Sequence, residues 1–263
     1  MRTLLLANNW LGWQVARWFT ERGDDVVGLV IHPPERRKYG EEIRESLNLP
    51  PERVFDGSQL QRPEVVRGVA SLRPEIGVSV LFGYILRPEF IGMFPRGIIN
   101  LHPSYLPYNR GTHPNVWSIV EGTPAGATLH YLDHGVDTGD IIAQRQIAVE
   151  AVDTGESLYR KLERLCLDLF RETWPLLLTG RATRQPQPTS GTCHRAKDLE
   201  RIEEIDLDRK YTARDLLNVL RARTFPPYAG AFFRDGERKV YVRVQLLTGE
   251  ITEREGNESR IRD

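Results

Sequence analysis

The first 31 residues carry the pattern that most limits the fold. Thr3–Ala7 and Val26–Ile31 are continuous apolar runs, typical of buried strands. Between them, residues 10–21 place apolar side chains at helical spacing, and Gly23 interrupts that pattern. A strand, a helix and a second strand form the βαβ unit from which parallel sheets with helices on both faces are built. The sequence therefore predicts an α/β fold with a doubly wound, mostly parallel sheet.

The turn after the first apolar run argues against a dinucleotide site. Its sequence is Ala-Asn-Asn-Trp-Leu-Gly, which lacks the Gly-x-Gly-x-x-Gly fingerprint, so an NAD-dependent oxidoreductase is disfavoured. Asn9 and Trp10 stand where the chain leaves the carboxyl edge of the sheet, and open α/β sheets bind ligands there. We expect both residues to contact a substrate. Helix capping is the alternative for Asn9.

Further elements extend the first domain to residue 180. Residues 76–82 and 97–99 are apolar runs that predict two more buried strands. Residues 127–132 and 141–147 alternate between apolar and polar side chains, which predicts a strand pair. A helix then begins at Asp-Thr-Gly-Glu, with leucines on one side, and we expect it to close the sheet.

The remaining residues predict a linker and a smaller domain. Residues 181–195 contain Pro-Gln-Pro-Thr-Ser-Gly and are predicted to form the linker. Residues 196–250 hold a helical segment and a hairpin around Asp-Gly, which predicts a small C-terminal α+β domain. Residues 251–263 have few apolar groups and are predicted to form a mobile tail.

Three polar residues suggest acyl-transfer chemistry. Asn100 and His102 lie two apart and project to one face of an extended strand, which Pro103 should end. Asp137 follows His102 by 35 residues. An amide can donate to an oxyanion, an imidazole can transfer a proton near pH 7, and a carboxylate can orient that imidazole. The set suits transfer of an acyl group directly to an amine.

Two points about these residues stay open. The imidazole of His102 can act mainly as a base or mainly as an acid. Asn100 and His102 can also be a satisfied polar pair within the core or a turn. Ser104 lies nearby but lacks the Gly-x-Ser-x-Gly setting of an activated nucleophile.

The longer pattern resembles the folate-dependent formyltransferase family. It consists of Asn-Leu-His-Pro-Ser with a following Leu-Pro, and then the Asp-Thr-Gly-Asp-Ile loop, within roughly the first 180 residues. The family includes glycinamide ribonucleotide formyltransferase, methionyl-tRNA formyltransferase and the nucleotide-sugar N-formyltransferases. The resemblance implies a Rossmann-like core, a catalytic triad of Asn100, His102 and Asp137, and N10-formyltetrahydrofolate as formyl donor.

The resemblance also implies where the folate binds. The segment Gly-Tyr-Ile-Leu is similar to the family segment that lines the pterin pocket, so Tyr84 and Leu86 are expected folate contacts. Asp133 and Gly135, in the loop that holds Asp137, are expected to join them. Ordinary core packing is the alternative for Tyr84 and Leu86.

The segment Tyr-Asn-Arg-Gly-Thr-His-Pro-Asn-Val-Trp is rich in groups that recognise ligands. Arg110 can offer a bidentate fork to a phosphate, and Asn109, Asn115 and Trp117 can hydrogen-bond or stack on a sugar or base. The segment is most similar to the sugar N-formyltransferases, which implies a nucleotide-linked amino sugar as acceptor. A loop followed by a helix that begins at His-Pro is the alternative.

The charge balance bears on the competing acceptors. Lys plus Arg number 36, as do Asp plus Glu, and residues 181–263 hold 17 basic against 14 acidic residues. A surface that binds tRNA should be more basic, so methionyl-tRNA formyltransferase is the runner-up and no nucleic-acid partner is expected. The glycine-rich phosphate loop usual in the glycinamide ribonucleotide branch is missing. A catalytically idle folate or nucleotide-sugar binding protein is the alternative outside enzymes.

Composition sets the remaining expectations. Cys166 falls in a helical pattern and Cys193 in a loop, which matches neither a disulfide framework nor a zinc site. His130 and His134 have no companions at metal-ligand spacing, so no metal is expected. The opening apolar run is shorter than a signal segment, and no stretch reaches membrane-spanning length, which predicts a cytoplasmic protein. Dimers are common among the resembling sugar enzymes, so a homodimer is possible.

Overall fold

The structure of the protein is a computed structural model, and it describes residues 1–249. The mobility predicted for residues 251–263 concerns residues outside this range. The strands are β1 (Thr3–Ala7), β2 (Val26–Ile31), β3 (Val54–Asp56), β4 (Ile76–Val80), β5 (Ile98–His102), β6 (Arg110–Gly111), β7 (Ala125–Tyr131), β8 (Ile141–Ile147), β9 (Cys193–His194), β10 (Ala231–Asp235) and β11 (Arg238–Val242). The helices are α1 (Asn9–Arg22), α2 (Gly40–Leu47), α3 (Pro63–Ser71), α4 (Pro88–Ile91), α5 (Pro114–Val120), α6 (Gly155–Leu178), α7 (Glu200–Glu203) and α8 (Ala213–Arg223).

A seven-stranded sheet forms the centre of the first part of the chain. Its strand order is β3-β2-β1-β4-β5-β7-β8. The first five strands in that order run parallel, and β7 and β8 add an antiparallel edge beside β5. Helices cover both faces, as the βαβ pattern predicts. The predicted α/β fold with a mostly parallel sheet is confirmed.

The alternation of side chains along β1 explains why both faces of the sheet are buried. Leu5 packs into a cluster with helices α1 and α6, while Leu4 and Leu6 pack into the opposite cluster with α3 and α4. Successive residues of a strand point to opposite faces, so a run without polar residues requires a cover on each side. The continuous apolar run in the sequence therefore has a direct structural cause.

Helix α6 covers one face of the sheet and is anchored at both ends. Thr154 and Ser157 form a reciprocal capping box at its start, with a Ser157 to Asp153 hydrogen bond of 2.8 Å. Near its end, the Trp174 ring packs against Phe19 of α1 with ring centroids 5.0 Å apart. The predicted helix with one apolar side therefore packs on the sheet beside α1.

The C-terminal residues fold into helix α8 and the hairpin of β10 and β11. Asp235 pairs with Arg238, and Gly236 takes a positive φ of 58° in the two-residue turn between them. Within residues 1–249, no helix combines the length and the hydropathy needed to cross a membrane. The predicted boundaries of the two domains remain a prediction.

We predict that Trp174→Ala lowers the free energy of unfolding by about 3 to 5 kcal/mol, because its fully buried ring leaves a cavity between α1 and α6. Leu176→Ala, two residues away in the same helix but 39% exposed, should cost less than about 1 kcal/mol. Urea denaturation followed by circular dichroism measures both values. Equal losses for the two variants would contradict this account of the core.

Candidate active site

Asn100, His102, His130 and Asp137 meet at the carboxyl end of β5. Asn100 and His102 project from that strand, and His130 lies opposite Asn100 on β7. Asp137 lies in the loop between β7 and β8, and its carboxylate lies within 3.4 to 3.6 Å of polar atoms on the other three side chains. The structure thus brings together the three residues predicted from the motif and adds a histidine that the sequence analysis had set aside.

The contacts of His102 fix which ring nitrogen can accept a proton. Its Nε2 lies 3.3 Å from the carbonyl oxygen of Asn109 and 3.6 Å from Asp137 Oδ2. Both partners only accept, so Nε2 carries the hydrogen and Nδ1 holds the lone pair of the neutral ring. Burial lowers the pKa of His102 below its ordinary value, although Asp137 offsets part of this effect. The neutral ring is therefore suited to act as a base through Nδ1.

Asp137 is a buried carboxylate that stays charged. Burial alone would raise its pKa, but His102, His130 and the backbone N–H of Gly111 outweigh that effect and hold the pKa well below its ordinary value. The Gly111 N–H donates to Oδ2 at 2.8 Å. Asp137 also has a positive φ of 52°, a conformation that a non-glycine residue keeps only when its surroundings impose it.

Gln187 supplies part of that constraint. Its side-chain N–H groups donate to the backbone oxygens of Asp137 at 2.8 Å and Gly139 at 2.7 Å. Its Oε1 accepts from the Arg110 guanidinium at 2.8 Å. The residues around it lie against the first domain, since Gln185 pairs with Ile141. We call residues 183–194 the strap, because this segment crosses both the Asp137 loop and the loop that contains Arg110.

Neither His130 nor Gln187 was singled out as a site residue by the sequence analysis. His130 belongs to an alternating strand, and only its register against Asn100 in β5 brings it to the site. Strand register is a long-range property, and the sequence indicated only that His130 lies in a strand, without showing which residue it faces. Gln187 falls among the Pro and Gly residues of the predicted linker, where a single glutamine carries no distinguishing pattern.

Three of the predicted acceptor contacts lie inside the protein. Asn109 is fully buried, and its amide donates to Ser118 and Thr123. Asn115 is buried and donates to the backbone oxygen of Gly155 at 2.8 Å. Trp117 is buried and stacks on His194, with centroids 4.1 Å apart. These contacts favour the alternative, a loop leading into a helix that begins with proline, and they do not bring the three side chains together at Asp137.

The other predicted acceptor contacts lie closer to the surface. Arg110 is partly exposed and bound to Gln187 on the strap. Asn9 has a positive φ of 67°, and its amide donates to the Tyr159 hydroxyl at 2.7 Å. Trp10 is partly buried and packs against the core at the start of α1. Asn9 and Trp10 therefore stand at the carboxyl edge of the sheet, as predicted.

The segment predicted to contact folate is an irregular loop after β4. Tyr84 and Leu86 are partly buried and pack against the apolar cluster beneath them, while Ile85 between them is 87% exposed. The backbone N–H groups of residues 84–86 donate no hydrogen bond to any group in residues 1–249. An apolar surface beside backbone N–H groups that are free to donate suits a flat heteroaromatic ring with acceptor atoms.

The other predicted folate contacts, Asp133 and Gly135, form the start of the Asp137 loop. Asp133 accepts from the backbone N–H of Gly135 at 2.9 Å and from the Thr138 hydroxyl at 2.6 Å. Added Cβ atoms would collide with Thr138 at Gly135 and with the Tyr131 carbonyl at Gly139, so both glycines are required by close packing. The loop has a defined shape and is exposed on its outer side.

These groups can catalyse direct acyl transfer. A neutral imidazole with a free nitrogen, a neighbouring amide and a charged carboxylate are adjacent, and the nearby Ser104 is buried with its hydroxyl donating to the Tyr108 carbonyl. Among residues 1–249, His, Cys, Asp and Glu side chains form no group of three suited to a metal ion.

The chain belongs to the formyl transferase family. Residues 26–172 match the family described as formyl transferase. Residues 198–248 match the N-formyltransferase dimerization C-terminal domain.

Relatives with two different names are similar to this chain. A dTDP-4-amino-4,6-dideoxyglucose formyltransferase from Mycobacterium bovis is 39% identical over 149 residues, which span 56% of this chain and 64% of the relative. A methionyl-tRNA formyltransferase from Geobacter metallireducens is 31% identical over 238 residues, which span 87% of this chain and 74% of the relative.

Two solved structures are also similar to this chain. A 4-N formyltransferase from Francisella tularensis has a TM-score of 0.81 and 25% identity, covering 94% of this chain and 98% of that one. The formyltransferase PseJ from Anoxybacillus kamchatkensis, solved with UDP-4,6-dideoxy-4-formamido-L-AltNAc and tetrahydrofolate, has a TM-score of 0.56 and 31% identity, covering 76% and 89%.

We predict that Asp137→Asn lowers the pKa of His102 further, because the variant removes the carboxylate that opposes the effect of burial. A pH titration of the His102 ring signals by NMR measures this shift. Asp140→Asn removes the same charge from the same loop, but Asp140 pairs with Arg184 at 2.6 Å, so its effect on His102 should be small. An unchanged or raised pKa in Asp137→Asn would contradict the assignment.

We predict that Gln187→Ala loosens the Asp137 loop, because the variant deletes the donors to the carbonyls of Asp137 and Gly139. Backbone amides of residues 135–139 should exchange hydrogen for deuterium severalfold faster. Gln185→Ala is the matched control, since that exposed side chain leaves the backbone pairing with Ile141 in place. Equal protection of the loop in wild type and Gln187→Ala would refute the role of the strap.

Proposed function

We propose that this protein transfers the formyl group of N10-formyltetrahydrofolate to the primary amine of a nucleotide-linked amino sugar. The observation that carries the proposal is the group of Asn100, His102 and Asp137 at the end of β5, with a free base nitrogen and an adjacent amide. Membership of the formyl transferase family supports the same chemistry. The protein is proposed to work in the cytoplasm.

The proposed mechanism assigns one task to each residue. His102 Nδ1 takes the proton that the acceptor amine loses as it attacks the formyl carbon, and then returns a proton to the departing folate nitrogen. Asn100 hydrogen-bonds to the reacting groups on the open side of the site, by which we mean the side away from Asp137 and His130. Asp137 orients His102 and stabilises its charged form.

Folate is proposed to bind between two loops. N10-formyltetrahydrofolate supplies the activated formyl group when bound. Tyr84 and Leu86 provide the partly buried wall, and the free N–H groups of residues 84–86 provide donors for the pterin ring. Asp133 and Gly135 line the facing loop beside Asp137. PseJ, which is similar over most of its length, was solved with tetrahydrofolate, which supports this donor.

The sugar acceptor is supported by two observations. The M. bovis relative is named for a dTDP-linked amino sugar, and the PseJ structure holds a UDP-linked formamido sugar. The equal numbers of basic and acidic residues give no general attraction for nucleic acid. We propose Asn9, Trp10 and Arg110 as acceptor contacts, with Asn109, Asn115 and Trp117 shaping the loop behind them.

We also propose a homodimer formed by the C-terminal region. Residues 198–248 match a family described as a dimerization domain. Large apolar side chains are exposed on this region, including Leu217 on α8 and Tyr241 on β11. This proposal retains the predicted division into a catalytic domain, residues 1–180, a linker, residues 181–195, and a C-terminal domain, residues 196–250.

Methionyl-tRNA formyltransferase activity is the second candidate. One relative with that name is similar over 87% of this chain, a larger share than the sugar enzyme from M. bovis matches. The catalytic group is equally suited to either amine. Salt-sensitive binding of initiator methionyl-tRNA would favour this candidate.

A formylation assay with a panel of acceptors separates the two candidates. The enzyme and N10-formyltetrahydrofolate are mixed with dTDP-, UDP- and GDP-linked 3-amino and 4-amino sugars, and mass spectrometry detects the gain of one formyl group. We expect one sugar to be formylated much faster than the others. Formylation of methionyl-tRNA with no sugar modified would overturn the proposed acceptor.

We predict that His102→Asn lowers kcat by about 10²- to 10⁴-fold, because the variant removes the base. The far-ultraviolet circular dichroism spectrum should be retained. His134→Asn, in the exposed part of the Asp137 loop, is the matched control and should keep activity near that of the wild type. Near-normal turnover in His102→Asn would refute the mechanism.

A further inference from the structure

The amide nitrogen of Asn100 points towards His130 and Asp137, away from the open side of the site. Its Nδ2 lies 3.2 Å from His130 Nε2 and 3.4 Å from Asp137 Oδ1. Both partners accept hydrogen bonds when the imidazole is neutral, so both amide hydrogens are used. Asn100 Oδ1 makes no hydrogen bond within residues 1–249. In this orientation Asn100 presents an acceptor to the open side, whereas stabilising an oxyanion requires a donor.

The backbone determines how His130 can change that orientation. His130 Nδ1 lies 2.8 Å from the Tyr131 carbonyl oxygen, which only accepts, so Nδ1 carries a hydrogen in every charge state. The neutral ring therefore has a bare Nε2, and a hydrogen on Nε2 makes the ring an imidazolium. The ring is fully buried, so water does not replace these contacts.

A half turn of the Asn100 amide exchanges the positions of its oxygen and nitrogen. With a bare Nε2, the turned oxygen would face the His130 lone pair and the Asp137 carboxylate, and both contacts are repulsive. With a proton on Nε2, the unturned NH2 would face another N–H, whereas the turned oxygen accepts from it and the amide NH2 reaches the open side. The contact with Asp137 opposes the turn in both charge states, so the contact with His130 decides between the two orientations. The titratable groups facing His130 are Asp137, whose Oδ1 lies 3.5 Å from Nε2, and His102, whose ring centroid lies 6.2 Å away.

We infer that His130 is a positioning residue whose proton determines which end of the Asn100 amide meets the substrates. Neutral His130 leaves the amide carbonyl on the open side, where it can accept from the incoming amine. Charged His130 turns the NH2 group to that side, where it can donate to the oxyanion. The catalytic consequence rests on the proposed formyl transfer, while the coupling between the two side chains does not.

Nitrogen-15 NMR of the wild-type protein without substrates tests the coupling directly. The His130 ring nitrogens and the Asn100 side-chain NH2 are followed from about pH 5 to pH 9, the range in which histidine usually titrates. We expect the Asn100 NH2 signals to shift at the same midpoint as His130 Nε2. Asn100 signals that stay constant while His130 titrates, or a His130 ring that remains neutral throughout, would overturn the inference.

Two variants test the consequence for catalysis. His130→Gln offers an uncharged N–H to Asn100, so kcat should stay within about tenfold of wild type and lose its dependence on the charge of residue 130. His130→Leu offers no donor, so kcat should fall about 100-fold with little change in KM. Equal loss in both variants, or an unchanged pH profile in His130→Gln, would overturn the inference.

The two tests separate this inference from the proposed function. If the wild-type protein formylates no amine at all, the proposed function fails, and the NMR titration still decides whether His130 controls Asn100. If the wild type is active but the Asn100 and His130 signals titrate independently, only the positioning role fails.

Discussion

The site depends on one buried negative charge. The Asp137 carboxylate accepts from the Gly111 N–H and the Asn100 amide, and lies within 3.6 Å of a ring nitrogen of both His102 and His130. These groups come from three separate segments of the chain. Their combined effect keeps the pKa of Asp137 low despite its burial, and a buried charge lacking them would be strongly unfavourable. The same contacts that stabilise the carboxylate therefore fix the positions of the other side chains.

That charge needs a loop of fixed shape. The positive φ of Asp137 is maintained by Gln187, whose side chain donates to the carbonyls on either side of Thr138. Gln187 in turn accepts from Arg110, so the strap joins the Asp137 loop to the loop that orients His102 through the Asn109 carbonyl. The positions of the reactive side chains therefore also depend on Gln187 and Arg110, which lie in other segments of the chain.

Local signals accounted for a large part of the fold. The βαβ start, helix α6 with its cap and the C-terminal hairpin follow from apolar periodicity and turn residues, which act over short distances. The side chains of Asn109, Asn115 and Trp117 looked equally able to bind a ligand, and their burial depends on packing against α6 and the strap. A polar residue in sequence gives no indication of whether its partner will be a ligand or the protein itself.

The sequence alone determined the class of fold and predicted that Asn100, His102 and Asp137 act together, because a strand-ending proline and a motif of fixed spacing are visible without a structure. Tertiary structure alone decided that His130 lies 3.2 Å from Asn100 and that Gln187 holds the Asp137 loop. These contacts join residues 30 and 50 positions apart. Strand register and loop closure bring such residues together, and both are set by the packing of the whole domain.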